Sequence, residues 1–317
     1  MSLRMALINP TSLVGEEIRQ TLDRQRDWWT RVELFSTEVD GVGTVTQVAG
    51  EAAIVQALEA DSLRGIDIAF LCAPGATLPK PPESCSLIVI PEGVADATGA
   101  ALVAGVNLDD KPTGNVLLSA HPAVVLLANL LHPLASLAPV EATAVVIQPA
   151  STLGDDALKE LLSQAGAILS FSDKQPQDVF GHQMAFNIVP AVIDTSTLTA
   201  QLDHVLPTPV PLALNALQGG FFHSISTALH VRFQTDPGHE ALSAALGANS
   251  AIVLDHEHPG PGPITAAGRD EILVAPPKAS HPDSGTYWIW AVMDNLTLGG
   301  ALNALAIAQA VAVTRAN

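Results

Sequence analysis

The sequence predicts a two-domain α/β protein. A parallel sheet wound with helices comes first, and an α+β domain with a mixed or antiparallel sheet follows. Three observations predict this. The chain has 317 residues, long for one core and comfortable for two. Its first part alternates short apolar runs with helical spacing, the pattern of a parallel wound sheet. Beyond Val116 the pattern changes to strand-like pieces between loops, which suits the second arrangement.

The elements follow in order. Met5-Ala6-Leu7-Ile8 has the length of a buried strand. The turn Asn9-Pro10-Thr11-Ser12 comes next, and then Val14, Ile18 and Leu22 recur at helical spacing. Glu16 and Glu17 fall in the first turn, where the helix dipole favours acids. Residues 32–35 read as a second strand, 52–58 as a helix, 67–71 as a third strand and 86–90 as a fourth. An apolar helix then spans 123–134, ending near Pro133. Residues 142–147 read as a strand and 155–165 as an amphipathic helix. Strand-like pieces follow at 186–193, 225–233, 251–254, 272–275 and 287–292. Residues 256–263, rich in Pro and Gly, read as an exposed loop. The tail 299–314 is apolar nearly all round, which marks a buried helix.

Composition narrows the function. Hydrophobic residues make up 48% of the chain and charged residues 15%, so most of it is buried, in its own core or in a subunit interface. A net charge of −18 opposes binding to nucleic acid or to an anionic membrane surface. Two cysteines, Cys72 and Cys85, cannot make a disulfide scaffold or a four-cysteine zinc site. No secretory h-region or membrane span is expected, and the reading places the protein in the cytoplasm without a metal. Asp255-His256-Glu257-His258 puts two imidazoles at alternate positions, but the adjoining Pro-Gly run favours a solvated loop over a metal site. Ser119 and Ser224 lie near histidines, yet the chain has no G-x-S-x-G elbow to make a serine hydrolase of them.

Several segments, in order, resemble aspartate-semialdehyde dehydrogenases. Asn9 to Gly15 resembles that family's G-A-T-G-x-V-G loop, and Asp67 to Phe70 with Ala73 and Gly75 its third strand and turn. Gly105-Val106-Asn107 resembles P-E-V-N, Gln148 to Gly154 resembles Q-A-x-S-G-x-G, and Phe186 to Pro190 resembles F-N-x-x-P. Trp290 to Leu296, followed by Gly299 to Ala304, resembles the last strand and helix most specifically. The resemblance implies a Rossmann-like nucleotide-binding domain, an α+β dimerisation domain and a C-terminal helix returning to the first domain. It sets the domains at 1–122 with 299–317, and at 123–298.

The resemblance also implies which residues would carry chemistry. The family forms a thioester and needs a cysteine thiolate. Pro122 stands at that position, and no cysteine follows Cys85. Gln148 matches the glutamine that orients the acyl intermediate, and His223 the general base. His223 reads either as a relic base or as a packed histidine. The arginine that would bind the substrate carboxylate is replaced by Ala216, and residues 91–97 hold no arginine for phosphate. Thr11, Ser12, Val14, Gly15, Ser36 and Asn295 match cofactor-binding positions, with Thr37 beside Ser36. Asn9 and Ser12 stand where glycines let the backbone approach a pyrophosphate, and Pro10 removes a donor. The loop reads either as a phosphate cradle or as a tight turn, and Asn295 either as a nicotinamide contact or as a turn cap.

The expected protein is a catalytically inactive, usg-type paralogue that forms a homodimer. It binds NADP or NAD weakly and works with an unidentified protein partner. The alternative is an NAD(P)-dependent oxidoreductase acting on a different aldehyde or oxo substrate.

Overall fold

The computed structural model describes residues 3–48, 50–72, 80–91, 100–108, 114–172, 174–257, 259–281 and 284–316. Ala73, Gly75, His258 and positions 92–97 of the sequence reading lie outside them. The chain divides into two compact units, Met1–His121 with Gly300–Asn317, and Pro122–Gly299.

The first unit contains β1 (Leu3–Ile8), α1 (Leu13–Arg24), β2 (Trp29–Ser36), β3 (Val45–Val48), β4 (Glu51–Ile54), β5 (Gln56–Ala57), β6 (Ile68–Leu71), β7 (Ser86–Val89), β8 (Ala101–Leu102) and β9 (Val116–Ser119). Seven strands form a sheet in the order β5-β2-β1-β6-β7-β9-β8, and every pairing is parallel. Met5 to Ile8, Ile68 to Leu71, Leu87 and Ile88 are buried, as continuous apolar runs covered on both faces should be. Helix α1 buries Val14, Ile18 and Leu22, and the side chain of Ser12 caps its N-terminus. Strand β1 is flanked by β2 on one side and β6 on the other, so the order reverses there. In open α/β sheets such a switch point is where ligands bind.

Residues 52–58 are not the expected helix. They form β4 and β5, with Val45 opposite Ile54 and Val48 opposite Glu51 in an antiparallel hairpin. Gly50 takes φ +73° in its turn, a conformation glycine adopts without strain. The helix propensity of three alanines amounts to only tenths of a kcal/mol each, roughly, and strand pairing overrides it.

The second unit contains α2 (Pro122–Ala135), β10 (Val140–Gln148), α3 (Asp155–Leu169), β11 (Ile188–Pro190), α4 (Thr195–Val205), β12 (Leu212–Gly219), β13 (Ile225–Phe233), α5 (His239–Gly247), β14 (Ile252–Leu254), α6 (Pro263–Ala266), β15 (Ile272–Val274), β16 (Lys278–Ala279) and β17 (Thr286–Met293). Its sheet runs β11-β12-β10-β13-β17-β15-β14, with β16 on β17. β10–β12 and β14–β15 are parallel, and the other pairings are antiparallel. In β10, Ala142, Ala144, Val146 and Gln148 are buried while Glu141 and Thr143 are exposed. One face is therefore packed and the other open.

One expected boundary holds to within a residue and another does not. Helix α2 runs through Pro133 to Ala135. Proline has no N–H to donate to the carbonyl of Asn129, four residues back, and Asn249 Nδ2 donates to that carbonyl instead at 3.0 Å. The strand expected over 186–193 shrinks to β11. Phe186 takes φ +60° and Asn187 turns back on Met184, which ends strand geometry before Ile188.

The tail forms a π-helical segment, Thr297–Leu302, and then α7 (Asn303–Ala316), which belongs to the first unit. Asn303 donates to Leu102 O at 3.0 Å and to Ser119 Oγ at 2.8 Å, and accepts from Ala104 N at 2.8 Å. Thr297–Arg315 is long and apolar enough to cross a membrane, but α7 is docked on the first unit by these bonds. Val313 is 62% exposed, so α7 is less fully buried than its composition predicts.

Candidate functional site

In the second unit the predicted residues gather at one end of the sheet. Gln148 ends β10, Ile225 begins β13 opposite Met293, and Met293 ends β17. Gln148 is buried, and its Nε2 has no hydrogen-bond partner among the described residues, while its backbone carbonyl accepts from Gln218 Nε2 at 3.1 Å. His223 is half-buried in the turn that precedes β13. That turn is fixed by backbone bonds from Ala150 N to Phe221 O at 2.9 Å and from Ser151 N to Phe222 O at 3.0 Å. Gly220 is required there, because a Cβ would stand 2.2 Å from Met184 O.

Asn295 ties this end together. Its Oδ1 accepts from Ser224 N at 3.0 Å, and its Nδ2 donates to Ser151 Oγ at 3.0 Å. Ser224 has φ +75°, so the acceptor holds a strained residue in place. These bonds make Asn295 a buried cross-link of three turns. Sequence spacing offers no sign of Ser151 and Ser224 as its partners, because 144 and 71 residues separate them from it.

Pro122 is the first residue of α2 and is buried. A proline is least costly at that position, where the N–H would be unsatisfied and φ is already suitable. It packs against Gly299, where a Cβ would come within 2.8 Å of both Pro122 Cβ and Met293 Cε. Ala216, which the resemblance aligns with the substrate-binding arginine, is buried in β12. Both cysteines lie in the first unit and are buried. Burial pushes the Cys85 thiol up to about 11, so it holds its proton at neutral pH. Next to α2, burial holds the His121 imidazole down at about 4. No group of three or more His, Cys, Asp or Glu suited to a metal occurs among the described residues.

In the first unit the loop between β1 and α1 is bonded to the segments that follow β2 and β6. Asn9 takes φ +58°, the left-handed conformation usual for glycine. Its Oδ1 accepts from Thr37 N at 2.9 Å, and its Nδ2 approaches Thr37 Oγ1 at 3.0 Å. Ser12 Oγ accepts from Gly15 N at 3.1 Å and donates to Cys72 O at 3.2 Å. Thr11 is exposed, whereas the Val14 side chain is in the core. Ser36 is buried and its hydroxyl donates to Glu38 O at 2.9 Å. Gly15 permits the close turn, since a Cβ would meet Asn9 O at 2.8 Å.

A wound parallel unit with a helix capped at the switch point, followed by a mixed-sheet unit, defines a two-unit α/β architecture. Residues 131–298 match the semialdehyde dehydrogenase dimerisation domain. The chain belongs to the semialdehyde dehydrogenase family. It is 26% identical to the aspartate-semialdehyde dehydrogenase of Aquifex aeolicus, over 98% of each chain. It is 24% identical to a USG-1 protein homolog of Pseudomonas aeruginosa, over 97% of each. Among solved structures, aspartate semialdehyde dehydrogenase II of Vibrio cholerae, complexed with ASA, superposes with a TM-score of 0.87, at 18% identity over 98% of each chain.

Proposed function

We propose that this chain is a catalytically inactive, homodimeric member of the family, of the usg type. In this reading it binds NAD(P) weakly and acts as a partner or regulator in a protein complex. The observation that carries the reading is Pro122 at the start of α2, in a chain whose two cysteines are buried elsewhere. A thioester needs a thiolate, and proline offers neither a nucleophilic lone pair nor an ionisable proton. Ala216 offers no charge-assisted donor to a carboxylate. Two facts support the dimer: the matched domain is a dimerisation domain, and the second unit exposes Phe171, Phe186, Val192 and Trp288.

Gln148 and His223 favour the second reading, an NAD(P)-dependent oxidoreductase that moves hydride without a thiolate. Gln148 keeps an unengaged amide nitrogen and His223 is partly open to solvent. Turnover of NADH and NADPH with a panel of aldehydes separates the two readings. The inactive reading predicts rates at the buffer background for every aldehyde. A saturable rate that survives repurification establishes the oxidoreductase.

A further inference from the structure

In a dinucleotide-binding α/β unit, the pyrophosphate lies at the first βα turn and the adenosine ribose at the end of the second strand. Here those places are the loop from Asn9 to Gly15 and the segment from Thr37 to Asp40, just past β2. Several donors at both places are already engaged within the protein. Thr37 N–H donates to Asn9 Oδ1 at 2.9 Å, and Thr37 Oγ1 lies 3.0 Å from Asn9 Nδ2. Gly15 N–H donates to Ser12 Oγ at 3.1 Å, and the Ser12 hydroxyl reaches across the switch point to Cys72 O at 3.2 Å. Pro10 has no N–H to offer. The nearby guanidinium of Arg19 is turned to the carbonyls of Pro10, at 3.0 Å, and Gln47, at 2.8 Å. The side chains beyond Thr37 include Glu38 and Asp40, both exposed. A ribose 2′-phosphate there would meet two carboxylates, with Arg19 Nε and Nη1 held by backbone carbonyls, whereas a 2′-hydroxyl would meet acceptors it can use.

We propose that Asn9 and Ser12 are built-in occupants of the dinucleotide crevice, and that the crevice discriminates against NADP in favour of NAD. The proposal rests on reading the first unit as a vestigial dinucleotide-binding unit, and adds the cause of the weakness and its chemical sign. Asn9 takes glycine's backbone conformation while its amide fills the place of the ribose. Removing the amide leaves the backbone where it is, because glycine adopts φ +58° without strain.

Calorimetric titration with NADH and NADPH tests this in the full-length protein. The wild type should bind NADH more tightly than NADPH. Asn9→Gly should strengthen binding of both by about tenfold, the scale of one or two competing hydrogen bonds. Adding Glu38→Arg to Asn9→Gly should then raise NADPH affinity and leave NADH affinity unchanged or lower. A wild type that prefers NADPH, or a folded Asn9→Gly with unchanged affinities, overturns the proposal. A ligand-free readout guards against a variant that fails to fold. Amide exchange should find Thr37 and Gly15 protected in the unliganded wild type, and fast exchange at Thr37 would equally overturn it. Aldehyde turnover by the unmodified protein would instead contradict the inactive reading and leave these affinities to be judged separately.

Discussion

At the scale of the residue, two buried polar side chains have roles that stability measurements can read. His121 is fully buried, and burial lowers its pKa from 6.5 to about 4. Between those values the unfolded chain takes up a proton that the native state refuses. Stability is therefore intact above pH 6.5 and declines as pH falls toward 4. The loss over that window should be roughly 3 kcal/mol, and His121→Met should remove this part of the slope. Denaturant unfolding at a series of pH values measures both. Asn295 makes a separate prediction. If it serves as a cross-link, Asn295→Ala leaves the Ser224 N–H buried without an acceptor and should cost about 2–3 kcal/mol with no ligand present. An unchanged unfolding midpoint would return Asn295 to the role of a ligand contact. The sequence left Asn295 either as a nicotinamide contact or as a turn cap, and its partners are not visible there because they come from turns far away in the chain.

At the scale of the element, strong periodicity was readable and pairing was not. The strands at 32–35, 67–71, 142–147 and 225–233 each appear within a few residues of the expected bounds, since apolar runs of that length have one plausible burial. The hairpin of β3 and β4 was hidden because its alanines carry a helical propensity, and only the cross-strand partner decides the outcome. Strand β12 and helices α4 and α5 went unread, their polar and apolar residues being mixed by partial exposure. The helix expected over 123–134 is α2, Pro122–Ala135, with Pro133 inside its last turn. The proline's cost there is offset by Asn249, which bonds both the carbonyl and the side chain of Asn129 at 3.0 Å. Asn249→Ala should therefore cost about 1–3 kcal/mol, more than an ordinary loop substitution. Thermal unfolding of the purified variant checks this, and a shift within the error of the wild type would show that water serves Asn129 equally well.

At the scale of the whole molecule, the order of segments along the chain was enough to find the architecture, because the family keeps its strands and turns in sequence even at low identity. The site was less legible. The resemblance led to the expectation that Pro122, Ala216 and Asn9 depart from the family's pattern. It could not show that Pro122 makes a comfortable helix start, or that the Asn9 amide closes on Thr37. For the assembly, light scattering after size exclusion at micromolar concentration should give a dimer mass. A monomer would remove the interface argument built on the exposed apolar residues of the second unit.

Whether acyl-transfer chemistry survives without a thiolate at position 122 is tested by a semialdehyde-oxidising assay. Purified protein is mixed with aspartate semialdehyde, phosphate and NADP, with an intact dehydrogenase as the positive control. The inactive reading predicts no NADPH formation by the wild type, and a rate near background for Pro122→Cys as well. The restored thiol would still lack an arginine at position 216 to hold the substrate, and positioning of that kind contributes several kcal/mol, roughly, to such reactions. Wild-type turnover that persists through repurification and treatment with a thiol-alkylating reagent would contradict the account.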